Sequence, residues 1–297
     1  MNAQSTQHGE TTLVVGGTGK TGRRVVNRLA ARGRPVRVGS RAGSPPFDWE
    51  DQATWRAALR NAGAAYVTYY PDLAVPGAAS AVRSFVEVAL EGGVRRLVLL
   101  SGRGEEEAHR AEEILRSSGA DWTVVRASWF AQNFSESFLR DAVLGGEVAL
   151  PAGDVPEPFI DVDDIADVAV AALTEGGHGG RLYEVTGPRM LTFADAVQEI
   201  ARATGRDIRY VQVPPEAFAS ALPAQGVPAD IAWLLNYLFR TVLDGRNASV
   251  ADGVRRALGR EPRDFTDYVR DAAASGVWDG NPALERAELV APPGSRA

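Results

Sequence analysis

The chain has 297 residues, 45% apolar and 24% charged, with a net charge of −6. These values exclude a small stapled scaffold, a globally disordered chain and a binder of nucleic acid or anionic membrane that works through basic charge. There is no cysteine, which removes disulfides, thiolate nucleophiles and thiolate-ligated metals.

Residues 1–10 are polar and lack the apolar stretch of a signal peptide, and no apolar run approaches the roughly 18 residues that span a bilayer. The expectation is a cytoplasmic protein without membrane or nucleic-acid partners. Thr11 to Gly16 reads as a strand, and Lys20 to Arg32 as a helix with Val25, Val26, Leu29 and Ala30 on one face. Strands are expected at 35–39 and 64–70, helices at 54–61 and 77–91. A strand at 95–101, a charged helix at 105–118 and a strand at 122–126 follow. Nearly continuous apolar strands alternating with helices indicate an α/β fold, a doubly wound parallel sheet covered on both faces.

After Arg126 the pattern changes. Aromatic residues cluster at Trp129, Phe130, Phe134 and Phe138, residues 151–158 read as loop, and 163–173 as a helix. The strand at 181–186 is expected to rejoin the sheet. Helices are then expected at 192–204, opened by a T-x-x-D cap, at 231–243 and at 262–275. The organisation expected is a dinucleotide-binding Rossmann domain over 11–160, completed by the strand near 181–187. A smaller, mostly helical substrate cap follows over 188–278, with contributions from 128–160. Residues 1–10 and 281–297 are expected to be flexible tails.

Gly16-Gly17-Thr18-Gly19-Lys20-Thr21-Gly22 follows the first strand and opens the first helix. It contains both G-x-x-G-x-x-G and G-x-G-x-x-G. Glycines there allow a tight turn, close approach of a pyrophosphate to backbone N–H groups, and close helix-on-strand packing. A nucleoside-triphosphate loop would need glycine at position 14, which is Val14. After the second strand stand Ser40 and Arg41, with no carboxylate between Gly33 and Phe47. An acid there would hold the ribose 2′-hydroxyl of NAD, whereas an arginine fork suits the 2′-phosphate of NADP(H). A solvated arginine is the plainer alternative.

The chain resembles the NmrA-like, atypical branch of the short-chain dehydrogenase/reductase superfamily over about residues 11–278. The resemblance rests on VVGGTGKTG at 14–22, LVLLSG at 97–102, AEEILRSSGADWTVVRASWFAQNF at 111–134, FIDVDDIADVAV at 159–170 and YEVTGP at 183–188. Within that branch it is similar to festuclavine dehydrogenases and quinone reductases. The resemblance implies NADP(H) held by Gly16, Thr18, Gly19, Lys20, Thr21, Gly22, Ser40 and Arg41. It places the nicotinamide near Tyr69, Tyr70, Pro71, Ser101, Trp129 and Phe130.

The sequence departs from the superfamily at the Tyr-x-x-x-Lys dyad, in which the lysine lowers the phenol pKa. Lys20 is the sole lysine among 32 basic residues, and no tyrosine precedes it at the required spacing. Ala127 stands where many relatives have proline. The catalytic residues are therefore unknown at this level. His109 could act as a replacement acid, but Glu105, Glu106, Glu107, Arg110, Glu112, Glu113 and Arg116 around it read as a solvated face. Asp161, Asp163 and Asp164 read as helix-capping rather than metal-binding residues, and no metal is expected. Three histidines, His8, His109 and His178, are too few for a histidine metal cluster.

Trp129, Phe130 and Asn133 follow a strand's carboxyl end, where ligands bind in open α/β sheets, and are candidates for substrate contact. Phe134 and Phe138 are expected in the core. Trp233, Tyr237 and Phe239 could line an aromatic pocket, pack in the core or form a homodimer contact. The expected activity is an NADPH-dependent reductase passing hydride to an activated acceptor of an apolar small molecule: an iminium, a quinone or a conjugated enone. The alternative is a non-catalytic NADP(H)-sensing regulatory protein of the NmrA type. A weaker third reading is an isomerase or lyase with structural NADP(H).

Overall fold

The computed structural model describes residues 11–280, so the tails expected at 1–10 and 281–297 lie outside the described residues. In chain order the elements begin with β1 (Thr11–Val15), α1 (Lys20–Ala31), β2 (Val36–Gly39), α2 (Trp55–Leu59), β3 (Ala62–Val67) and α3 (Ala78–Glu91). Next come β4 (Arg96–Gly102), α4 (Glu106–Arg116), β5 (Asp121–Ala127), α5 (Asn133–Glu136), α6 (Leu139–Gly145) and β6 (Glu147–Leu150). The remainder are α7 (Val162–Thr174), β7 (Arg181–Val185), α8 (Phe193–Thr204), β8 (Arg209–Gln212), α9 (Pro215–Ala224), α10 (Ala229–Tyr237), α11 (Gly253–Leu258) and α12 (Phe265–Ala274).

These elements form two compact units, each assembled from separate stretches of chain. The first comprises the described residues up to Ser128, Val162–Thr186 and Ala251–Pro262. Its six strands pair in the order β2-β1-β3-β4-β5-β7, all parallel, with Val14 opposite both Val38 and Tyr66, Leu97 opposite Ala65, and Val124 opposite Leu99 and Leu182. The order reverses between β1 and β3, which makes the crevice outside their carboxyl ends the switch point of the sheet. Apolar side chains at helical spacing explain the layers. Val25 and Leu29 of α1, and Val82, Phe85, Val86 and Ala89 of α3, are all buried. Phe47, Trp49, Trp55 and Phe85 interlock beneath α3, with Phe47 edge-on to Phe85 at 5.7 Å.

Helix α7 is apolar around most of its circumference and buried to match. Its acidic residues are held by arginines. Arg28 donates to Asp163 and Asp167 at 2.6 Å each, and Arg260 pairs with Asp164 at 2.7 Å and Asp167 at 2.6 Å. The strand expected at 181–186 does join the sheet. β3 ends earlier than expected, at Val67 rather than Tyr70, because Thr68 leaves the ladder. Its hydroxyl donates to the Val15 carbonyl, and its own carbonyl accepts the Trp49 indole N–H.

The second unit comprises Trp129–Asp161, Gly187–Val250 and Arg263 onward. It is mostly helical around a parallel pair of short strands, β6 and β8, which the sequence pattern does not announce. Its core is aromatic: Phe159 packs edge-on to Phe193 at 5.0 Å, and Phe134 lies 5.8 Å from Phe265. The expected T-x-x-D signal at Thr192 forms a complete capping box with Asp195. The helix expected over 231–243 ends at Tyr237 as α-helix and continues as a wider turn over Leu238–Val242.

Candidate active site

The glycine segment folds back on itself at the end of β1. Gly16 takes a positive φ of 67° and donates to Gly39, while Gly19 donates to the Gly16 carbonyl at 2.9 Å. Gly22, in the first turn of α1, admits no other residue, because a Cβ there would lie 2.1 Å from the Gly16 carbonyl oxygen. Helix α1 begins with Gly19 as N-cap, with no side-chain cap hydrogen bond and no acidic residue in its first turn. Its N-terminal N–H groups and positive dipole end therefore suit an anion. This is a cradle that fits a dinucleotide pyrophosphate.

The segments after β2 and β3 meet on one side of this cradle. Exposed Arg41 lies with its guanidinium 5.9 Å from the Tyr70 ring centre, and Tyr69 packs against Trp49 at 4.8 Å. Ser40 is half-buried, and its carbonyl accepts the Gly43 and Phe47 N–H groups at 2.9 Å each. Burial, reinforced by the Glu50 charge, pushes the Tyr69 phenol above its ordinary pKa.

Ser101, at the end of β4, is buried and donates to Glu112 at 2.6 Å. Here the structure corrects the sequence reading of residues 105–116 as one solvated face. His109 is exposed, but Glu112 is 1% exposed and Glu105 7%. Glu112 is held by the Arg126 guanidinium from β5, which also faces Glu184. Glu184 accepts in turn from buried Arg103 at 2.8 Å. Burial, followed by the Asp72 charge, pushes the Glu105 carboxyl well above the usual carboxylate range. Burial likewise raises Asp72, against the Lys20 charge. The sequence reading missed this network. Its one available signal was the position of Asp72 and Glu105 just past the carboxyl ends of β3 and β4.

In the second unit, Trp129 packs edge-on to Phe193 at 5.2 Å and against Phe239 at 5.0 Å, half-buried like Phe130 and Asn133. Phe134 is in the core as expected, but Phe138 is 38% exposed, a correction. It sits after a break between α5 and α6 and touches Phe239 only edge-on at 6.5 Å. Trp233 and Tyr237 stack face to face at 5.4 Å with Trp233 43% exposed, whereas Phe239 belongs to the core. Asp161 accepts from the Gln132 amide at 2.7 Å.

The description "NAD(P)H-binding" matches residues 16–176, and "NmrA-like family" matches residues 106–269. The chain belongs to the NmrA-like family of NAD(P)H-binding proteins. It is 33% identical to agroclavine dehydrogenase of Claviceps fusiformis, over 90% of this chain and 98% of that one. It is 30% identical to the NAD(P)H azoreductase of Xenophilus azovorans, over 89% and 98%. Among solved structures it superposes on the NADPH complex of an Escherichia coli quinone oxidoreductase with a TM-score of 0.71 at 22% identity, over 88% and 99% of the chains. The member described here is an NAD(P)H-dependent oxidoreductase, with the Rossmann-type sheet that this assignment requires. No helix among the described residues is long and apolar enough to cross a membrane.

Proposed function

We propose that this chain is an NADPH-preferring reductase of apolar small molecules that carry an already activated acceptor group: an iminium, a quinone or a conjugated enone. The observation that carries the reading is the glycine cradle with Arg41 beside it and no carboxylate after β2. Bound there, the reduced nicotinamide supplies the hydride. The Gly16, Gly19 and Gly22 backbone and the start of α1, with Thr18, Lys20 and Thr21, hold the pyrophosphate. Arg41 and Ser40 hold the 2′-phosphate. Tyr69, Tyr70 and Ser101 border the nicotinamide end.

In this reading Trp129 and Phe130 offer ring faces and Asn133 a polar amide to the acceptor. With no Tyr–Lys dyad to activate a plain ketone, the protein's main tasks are orientation and exclusion of water, which suit an electrophile that is reactive already. Relatives named for dehydrogenation of a clavine alkaloid and for reduction of azo compounds support a conjugated acceptor.

The test is a panel of quinones, conjugated enones and cyclic iminium ions, read as loss of NADPH absorbance. Turnover of at least one is expected. Tight NADPH binding without turnover of any would shift the reading to the non-catalytic sensor.

A further inference from the structure

Tyr66 of β3 is 0% exposed, and its hydroxyl meets no hydrogen-bond partner among the described residues. Buried tyrosines ordinarily find one, because a hydroxyl taken out of water without replacement costs stability. The adjacent strands supply none: in register Tyr66 stands between Val14 of β1 and Val98 of β4.

The same register shows which layer the phenol enters. Val14 is also opposite Val38 of β2, and residues paired across strands point to the same face of a sheet. That face is the one α1 covers, since a Cβ placed on Gly17 would lie 3.0 Å from Val38 and 3.4 Å from Val26 of α1. Ala65 and Val67, the alternate residues of β3, belong to the opposite core with Trp55, Phe85 and Leu115. Tyr66 therefore points into the layer of α1 and α7, which Arg28 ties together through Asp163 and Asp167.

The first turn of α1 in that layer is packed inward: Thr21 is 5% exposed, and Gly22 is pressed so closely against Gly16 that no Cβ fits. Thr21 is the polar side chain that faces the Tyr66 phenol, but the two hydroxyls do not meet in hydrogen-bond geometry. The backbone of Thr21 serves the other side. The first intrahelical bond of α1 runs from the Arg23 N–H to the Gly19 carbonyl at 3.0 Å. The N–H groups of residues 20–22 precede that ladder and are the ones a pyrophosphate would take. One residue thus links the anion-facing N–H groups to a buried phenol that lacks a partner.

We propose that Tyr66 is a positioning residue for the dinucleotide: when the cradle is filled, its hydroxyl and that of Thr21 close into a hydrogen bond that fixes the first turn of α1 under the pyrophosphate. The hydroxyl is unsatisfied in the free protein and satisfied in the complex, so it favours the bound state. The inference rests on NAD(P)H binding and is independent of the acceptor and of Arg41.

Calorimetry and unfolding of the full chain test it without any turnover. Tyr66→Phe is expected to raise Kd about 3- to 10-fold, by the same factor for NADP⁺ and NAD⁺, because the pyrophosphate is common to both. The free Tyr66→Phe protein should be at least as stable as wild type, since the hydroxyl it removes gains nothing there. Thr21→Val is expected to raise Kd by a similar factor, and the double variant no further than either single change. With ring-labelled tyrosine, the Cζ resonance that Tyr66→Phe deletes is expected to move when wild type is saturated with NADP⁺.

Unchanged affinity in Tyr66→Phe, a loss confined to NADP⁺, additive losses in the double variant, or a Tyr66 resonance indifferent to NADP⁺ would each overturn the positioning role. A free Tyr66→Phe protein less stable than wild type would overturn it too, by showing that the hydroxyl already has its partner. Failure of every acceptor to turn over would strike the reductase reading alone.

Discussion

Arg126 on β5 grips Glu112 on α4 with two nitrogens, one of them 2.8 Å from Oε1, and Ser101 of β4 donates to the same oxygen at 2.6 Å. Glu112 is almost fully buried, so the pair ties a helix to two adjacent strands from inside the protein. Removing Glu112 would leave the half-buried arginine charge with only Glu184, at 3.4 Å and shared with Arg103, to face it. Glu112→Ala is therefore expected to cost about 3–5 kcal/mol. Denaturant unfolding checks this, and a loss below about 1 kcal/mol would show that water reaches Arg126 freely.

Arg41 is the residue proposed to set the cofactor preference. A charge-assisted contact to a 2′-phosphate contributes about 1.5–3 kcal/mol, or roughly 10- to 100-fold in Kd. Calorimetry with NADP⁺ and NAD⁺ should show wild type favouring NADP⁺ and Arg41→Ala losing that preference through weaker NADP⁺ binding alone. Equal affinities in wild type would refute the assignment.

Gly22→Ala puts a methyl group 2.1 Å from the Gly16 carbonyl oxygen, and the loop must move to admit it. A destabilisation of about 1–3 kcal/mol is expected, as for an overpacked site. Dinucleotide affinity should fall at least about 10-fold. Gly33→Ala is the control: its φ of 67° strains any other residue, but open space surrounds the added carbon, so stability should drop without a change in Kd.

In the second unit, Arg189 donates to Glu199 and to Asp264, and its hydrogen bonds hold Asp264 down at about 2. The unfolded value is about 3.9. The native state therefore binds this proton less readily, and the resulting stability is complete above about pH 4 and lost as pH falls toward 2. Unfolding midpoints measured from pH 6 to 2 should fall less steeply for Asp264→Asn than for wild type. Parallel curves would show that other carboxylates govern the acid limb.

No tyrosine is followed by a lysine at the Tyr-x-x-x-Lys spacing, and burial raises Tyr69. Tyr69→Phe, Tyr70→Phe and His109→Ala should each slow kcat by less than about 10-fold. A loss near 10³-fold in one of them, with a vanished limb in its pH profile, would identify it as the acid.

What could be read from the sequence was what local rules govern. The strand–glycine–helix opening, the alternation up to Arg126 and the Thr192–Asp195 cap each lie within a few residues of one another, and each is found where the pattern places it. β6 and β8 escaped because they are four-residue strands whose pairing joins Glu147 to Arg209, far along the chain. The carboxyl network escaped for a related reason. Counting charges along 105–116 treats Glu112 like Glu113, yet one faces Arg126 on the next strand and the other faces water. Only the packing of α4 on the sheet separates them.

The interleaving of the two units bears on how the chain can be made. The sheet-bearing unit takes residues from three stretches, the last being 251–262. In that stretch, Gly253 sits so close to Glu184 that a Cβ would lie 2.1 Å from the carbonyl oxygen of the edge strand β7. Arg260 supplies partners to Asp164 and Asp167. On a ribosome, the first half of the polypeptide can therefore emerge with its strands ready to pair, but α7 lacks the Arg260 contacts to Asp164 and Asp167 and β7 its cover from residues 253–258 until residue 262 has left the exit tunnel. Completion of the sheet-bearing unit is thereby deferred until residues 251–262 have emerged, well after its last strand has been made.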